Sequence, residues 1–168
     1  WIQSLLDAQG VSAKGHERSL ATMAQGIGAI LGCTSAGFFS DRFGRKPTLI
    51  TGYLLSTGVS ALLFLTNLQF SVFIYWQSAL LGFMIGLVQA GMYIYLPELF
   101  KTRIRATATG FCLNCGRLIT AIAVFFVGSV VQWIGGYGMS AFLFSLAYLV
   151  SAVALLWGVE TKGRQLLD

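Results

Sequence analysis

The 168 residues are 56% hydrophobic and 10% charged, with mean hydropathy +0.75, and a soluble domain of this length needs many more charges to cover its surface. The formal net charge is +5, but the cations sit in short segments between apolar runs and make no basic patch on a soluble fold, which argues against nucleic acid as a partner. Residues 47–97 carry no charge and residues 106–159 carry only Arg117; runs of this length exceed the roughly 20 residues needed to cross a bilayer, so the lipid bilayer is the expected solvent.

Residues 1–10 read as the tail of a span whose beginning lies upstream, because Trp1 opens inside an apolar-looking segment. Residues 11–18 read as a polar loop. A second span covers about residues 19–40 and a charged loop residues 41–46. Pro47 then opens a third span to about residue 65, as suits a first-turn proline. Residues 66–69 turn the chain into a fourth span, about 70–96. A second charged loop, 97–105, leads to a fifth span, about 106–131. After a turn at 132–136, a sixth span covers about 137–159, followed by a polar tail. In hydrocarbon every backbone N–H and C=O must be paired within the protein, so such runs become helices. The expected fold is all-α: a polytopic membrane helix bundle of five complete spans and one truncated span, with no room for a second soluble domain.

The cations set the orientation. Arg42, Arg45, Lys46, Lys101, Arg103, Arg105, Lys162 and Arg164 fall on one side, and only Lys14 and Arg18 on the other. The first side, with the carboxy terminus, is expected to face the cytoplasm, in a plasma (inner) membrane.

The first charged loop reads G-x-x-x-D-R-x-G-R-K over residues 37–46. Gly44 permits a sharp turn where a side chain would clash. Asp41 sits among three cations and can pair with one of them or face the positive amino end of a neighbouring helix. A simple positive-inside anchor would need the cations but not the Gly-Asp-Gly framework. This loop resembles the signature loop of the major facilitator superfamily, which recurs between the second and third helices of each half. The resemblance implies a gate element at Gly37, Asp41, Arg42, Gly44, Arg45 and Lys46. Residues 97–106, with Glu98 and Arg105, resemble the loop between the tenth and eleventh helices of sugar porters and related metabolite–proton symporters, with Lys101 where proline is usual. Residues 159–164, with Glu160 and Arg164, resemble the P-E-T-K-G-R element after the last helix, with Val159 in place of proline. Considered apart from that resemblance, both stretches are solvated charge at a membrane surface, where exposed pairs contribute only about 0–1 kcal/mol.

The resemblance implies helices seven (in part) to twelve of a twelve-helix transporter: the carboxy-terminal half, with the amino-terminal half outside this chain. Sugar porters typically carry Gly-Pro and Trp late in the tenth helix; this chain has Gly91, Met92, Tyr93, Ile94, Tyr95 and Leu96 there. The loop and fifth span look closer to organic-acid and aromatic-acid symporters.

Arg117 lies about eleven residues into the fifth span, roughly 16 Å by helical rise. A cation at that depth costs about 2.5–3.5 kcal/mol on insertion scales. It either recognises a substrate carboxylate, for which a guanidinium offers bidentate geometry, or snorkels to the surface or pairs with the rest of the polypeptide. Asn114 lies one turn earlier. Gly82, Gly86, Gln89 and Tyr93 form a stripe on the fourth span; the glycines suit close helix packing, while Gln89 and Tyr93 can bond a ligand or neighbouring helices. Amide or charged side chains occur in the second span (Gln25), the fourth (Gln77, Gln89) and the fifth, but not in the third or sixth. The resemblance matches this partition, since helices nine and twelve are peripheral in the family.

Cys112 and Cys115 form an isolated C-x-x-C, and the single histidine, His16, is in the opposite-side loop. A structural zinc site needs about four ligands, so both cysteines read as packing residues, and no metal, cofactor or catalytic residue is expected. Gly28 and Gly32 make a second small-residue step. Covalent catalysis would need a nucleophile with a base, or paired carboxylates, within the spans. No His, Asp or Glu lies at depth in the spans, so an enzyme is not expected. The resemblance implies alternating-access transport of a small metabolite, with organic acid–proton symport. A sugar transporter is the alternative; a channel or a non-transporting receptor stands behind it. Protons would need a coupling carboxylate in the other half.

Overall fold

The computed structural model describes residues 2–8, 14–67 and 69–163. Seven helices follow in order: α1 (Ile2–Ala8), α2 (Lys14–Phe43), α3 (Arg45–Thr66), α4 (Phe73–Glu98), α5 (Arg105–Ile134), α6 (Tyr137–Ser145) and α7 (Ala147–Leu156). Among the described residues there is no strand, so the fold is the all-helical bundle expected.

Among the described residues, four spans are long and apolar enough to cross a membrane: α3, α4, α5, and α6 with α7 taken together. This is an integral membrane protein. α2 has the length, 30 residues or about 45 Å of helix, but Ser, Thr, Gln and Gly dilute its apolar character. Its helix also starts earlier than expected. Residues 14–18, read above as loop, form its first turn, with Glu17 favourably near the positive amino end. The sixth span is interrupted at Leu146, although neither Gly nor Pro is present there. Ser145 Oγ donates to the Phe142 carbonyl at 2.6 Å, and the Leu146 N–H bonds the Leu143 carbonyl at 3.1 Å in a tightened turn.

The hydroxyls of the apolar helices mostly satisfy themselves. Ser56, Thr57, Ser140 and Ser151 each donate to the carbonyl four residues earlier, which removes the cost of an unpaired donor in hydrocarbon. The centre of the bundle is the packing of α2 against α4, where two glycines on each helix let the backbones touch. A Cβ on Gly28 or Gly32 would lie 1.9 or 2.0 Å from the carbonyl oxygen of Ala79 or Phe83. One on Gly82 or Gly86 would lie 2.1 or 2.3 Å from that of Gln25 or Ala29. Cys33 Sγ contacts the Gly86 carbonyl at 3.3 Å in the same seam, which gives this cysteine a packing place. Tyr75 of α4 donates to Glu17 of α2 at the seam's far end.

α3 packs on α4 and on α6 and α7. Ala36, Leu49, Leu87, Val88 and Tyr95 form one buried cluster, and Leu63, Ile74 and Leu81 another. α5 touches α4 and α6 and buries none of its residues.

Gly32→Leu or Gly86→Leu is expected to push α2 and α4 apart and cost at least about 1–3 kcal/mol, lowering the thermal unfolding midpoint in detergent. Gly26→Leu serves as the control, since a Cβ there meets nothing within 4 Å. Equal midpoints for all three variants would refute the seam.

Candidate functional site

Two groups of polar residues stand out, one in the helix bundle and one at its charged end. The first surrounds a cleft of about 410 Å³ lined by residues of α3, α4, α5 and α7, within the roughly 300–1,000 Å³ of small-molecule sites. Gln89 and Tyr93 are one turn apart on α4 and meet Arg117 of α5 there. The Tyr93 hydroxyl interacts with both the Gln89 and Arg117 side chains. Among the described residues no carboxylate lies within 4.0 Å of Arg117. Its guanidinium therefore has donors to offer, beside walls of Ile85, Val88, Met92 and Leu113.

Asn114 is not brought to this cleft. Its amide donates to the Gly110 carbonyl of its own helix at 2.8 Å, and it does not line the cavity. One helical turn placed it near Arg117 in sequence, but a carbonyl of its own helix lay within closer reach. Gln77 is likewise engaged elsewhere, accepting from Asn67 Nδ2 at 2.6 Å in the α3–α4 turn. The expected partition of spans also needs correction. Tyr53 and Ser56 of α3 and Tyr148 of α7 line the cleft, so the third and sixth spans are not confined to the periphery. Counting amides and charges overlooked phenols; a tyrosine isolated in an apolar span was the available signal.

The charged end is built around Arg45 and Glu160. Gly44 precedes α3 with φ 106°, in the region that favours glycine, and a Cβ there would also lie 2.9 Å from Glu160 Oε2. The turn leaves the first N–H groups of α3 without a local cap. Glu160, arriving from beyond α7, supplies one. Its Oε1 accepts from the Arg45 backbone N–H at 3.0 Å and its Oε2 from that of Lys46 at 3.0 Å. Oε1 also accepts from the N–H groups of Thr161 and Lys162 at 3.0 and 2.9 Å. Burial alone would raise the Glu160 carboxyl; these backbone donors, from Lys162, Arg45, Lys46 and Thr161, outweigh it and hold the carboxyl below the ordinary glutamate range.

The Arg45 side chain joins three groups. Its Nη1 donates to Asp41 Oδ1 at 2.7 Å and to the Ser40 carbonyl at 3.1 Å, and its Nε to Glu98 at 3.3 Å. Thr161 Oγ1 donates to Glu98 from the other side. Lys46 Nζ reaches the Leu156 carbonyl and Lys162 Nζ the Arg42 carbonyl, each at 2.8 Å. Tyr95 closes the set by donating to the Val159 carbonyl at 2.8 Å. Thus α2, α3, α4 and the segment after α7 are tied together.

Arg105 does not join this cluster. It donates to the Phe100 carbonyl and to Thr102 of its own loop, both at 3.3 Å. Gly37 stands in α2 with nothing within 4 Å of an added Cβ, so nothing described here requires a glycine at that position. Arg42 enters through its backbone carbonyl. Arg164 lies outside the described residues. Thr161 was not singled out from the sequence, and Lys162 was counted only among the cations that set the orientation, although both stand beside Glu160.

The sequence pattern of the Major Facilitator Superfamily matches residues 5–166. The chain belongs to this superfamily. It is 31% identical over 167 residues to a probable 4-methylmuconolactone transporter of Cupriavidus pinatubonensis, covering 97% of this chain and 37% of that protein. It is 30% identical to the niacin transporter NiaP of Acinetobacter baylyi, covering 99% of this chain and 37% of the relative. It is 27% identical to a gentisate transporter of Corynebacterium glutamicum, covering 92% and 34%. The chain thus spans little more than a third of the length of these relatives. No solved structure matches it.

Because folding holds the Glu160 carboxyl below its unfolded value, the cap is fully present above the ordinary glutamate range. It is lost as pH falls through the folded value, which lies below the ordinary glutamate range. Glu160→Ala is expected to speed hydrogen exchange of the Arg45 and Lys46 amides about tenfold or more at neutral pH. Unchanged exchange would show that water caps α3 equally well.

Proposed function

We propose that this chain is the carboxy-terminal half of a secondary transporter that moves a small organic carboxylate across the membrane by alternating access. The observation that carries this reading is Arg117. It is a cation in an apolar-walled cleft, beside the hydrogen-bonding groups of Tyr93 and Gln89 and with no carboxylate neighbour among the described residues. A guanidinium so placed can bind a carboxylate in two parallel hydrogen bonds. The substrates named for the niacin and gentisate transporters are themselves carboxylic acids, which supports the same class here.

In this reading the remaining half of the polypeptide completes a central site near the bilayer midplane, and the two halves rock about it. The charged end faces the cytoplasm of the plasma (inner) membrane by the excess of Lys and Arg. The Asp41–Arg45–Glu98 and Glu160 contacts keep that end of this half rigid, so that it moves as one body in opening and closing the inner gate; Gly37, Arg42, Gly44, Lys46 and Arg164 belong to the same element. Arg105 stands ready on its loop for a partner across the gate. Symport with protons needs a buried carboxylate that titrates with substrate binding, and the other half supplies it.

The test is uptake by the full-length polypeptide in cells, comparing labelled carboxylates with sugars, with and without a protonophore, and beside Arg117→Gln. Carboxylate uptake that falls about tenfold or more in the variant and collapses with the protonophore is the expected result. Sugar uptake that survives Arg117→Gln would overturn the anion assignment.

A further inference from the structure

A carboxylate seated on Arg117 leaves most of the cleft to the rest of the substrate, and the walls supplied by α3 and α7 are aromatic. Tyr53 and Tyr148 stack with ring centroids 6.2 Å apart and planes inclined by 29°, and both line the cleft that holds Arg117. The Tyr53 hydroxyl is engaged by Ser151 of α7, which ties the two helices together at the pair. The centroid separation is too small for a third ring between the two, since two contacts of about 3.5–4.0 Å each would be needed. A planar group therefore lies against the face or edge of the pair.

We propose that Tyr53 and Tyr148 form a selectivity surface for planar, conjugated carboxylates: the substrate's ring rests on the tyrosine pair while Arg117 holds its charged end. The assignment of the charged end rests on the carboxylate reading above; the ring preference rests on the tyrosine pair alone. A π-system gains offset-stacked or edge-to-face attraction at such a surface in addition to the dispersion that any apolar group would gain. A flexible aliphatic chain gains only the dispersion, and loses rotational freedom on binding.

The test uses the full-length polypeptide and two acids of equal charge and similar size, benzoate and cyclohexanecarboxylate, as inhibitors of labelled nicotinate or gentisate uptake. In the parental protein benzoate is expected to inhibit about three- to tenfold more tightly. Tyr53→Leu and Tyr148→Leu, read separately so that a folding defect in one leaves the other, are expected to erase that ratio by weakening benzoate alone. Tyr53→Phe and Tyr148→Phe keep the ring face and should retain it. Equal inhibition by the two acids in the parental protein, a Leu variant that weakens both alike, or a parental protein that neither binds nor moves any ring acid would each overturn the proposal. Arg117→Gln separates the two assignments. If it weakens both acids, the charged end stands. If it weakens neither while the Leu variants still erase the ratio, the ring surface survives and the carboxylate assignment falls.

Discussion

The contact on which the bundle depends is the approach of two backbones. In lipid, burying apolar side chains between helices gains little, because the acyl chains they leave are equally apolar. What remains is dispersion at close range and the shape that allows it. Gly28, Gly32, Gly82 and Gly86 remove the side chains that would hold α2 and α4 apart. The seam fixes α4, and α4 carries the polar groups of both regions: Gln89 and Tyr93 toward the cleft, Glu98 and Tyr95 toward the charged end. Both regions therefore inherit their geometry from a stripe of residues that has no functional group at all.

At the charged end the contacts differ in weight. Asp41 is 73% exposed and its pair with Arg45 is screened on one side by water, so it adds little stability by itself. Glu98 and Arg45 are about four-fifths shielded, and Glu98 is also held by Thr161. Glu160 binds no cation side chain in the described contacts. It works on backbone donors and on the positive end of α3. The signature loop thus supplies a helix terminus as well as charges, and the polar segment after α7 completes it.

Much of this was legible in the sequence because each feature has a local cause. Helical spans follow from the length of uncharged runs, the Gly44 turn from the need for positive φ, and the glycine seam from its four-residue spacing. Arg117 stood out because a cation in an apolar span is costly. The features that escaped depend on which neighbours arrive from elsewhere. Asn114 had a carbonyl of its own helix within reach, Arg105 found partners within its loop, and the break at Leu146 has neither Gly nor Pro to announce it. Tyr53 and Tyr148 were passed over because a phenol in an apolar span looks like packing until a second ring and a guanidinium are seen beside it.

The cap on α3 has a consequence for how the protein is made. Arg45 and the Glu160 carboxylate that caps it are 115 residues apart in sequence. At about 5–20 residues per second of synthesis, the amino end of α3 waits on the order of ten seconds for its partner, until α7 and the segment after it have been translated. During that interval the signature loop is present but its helix terminus is satisfied only by water or lipid headgroups. The cap therefore cannot close before α7 has been made, and its closure marks the arrival of that helix at the charged end.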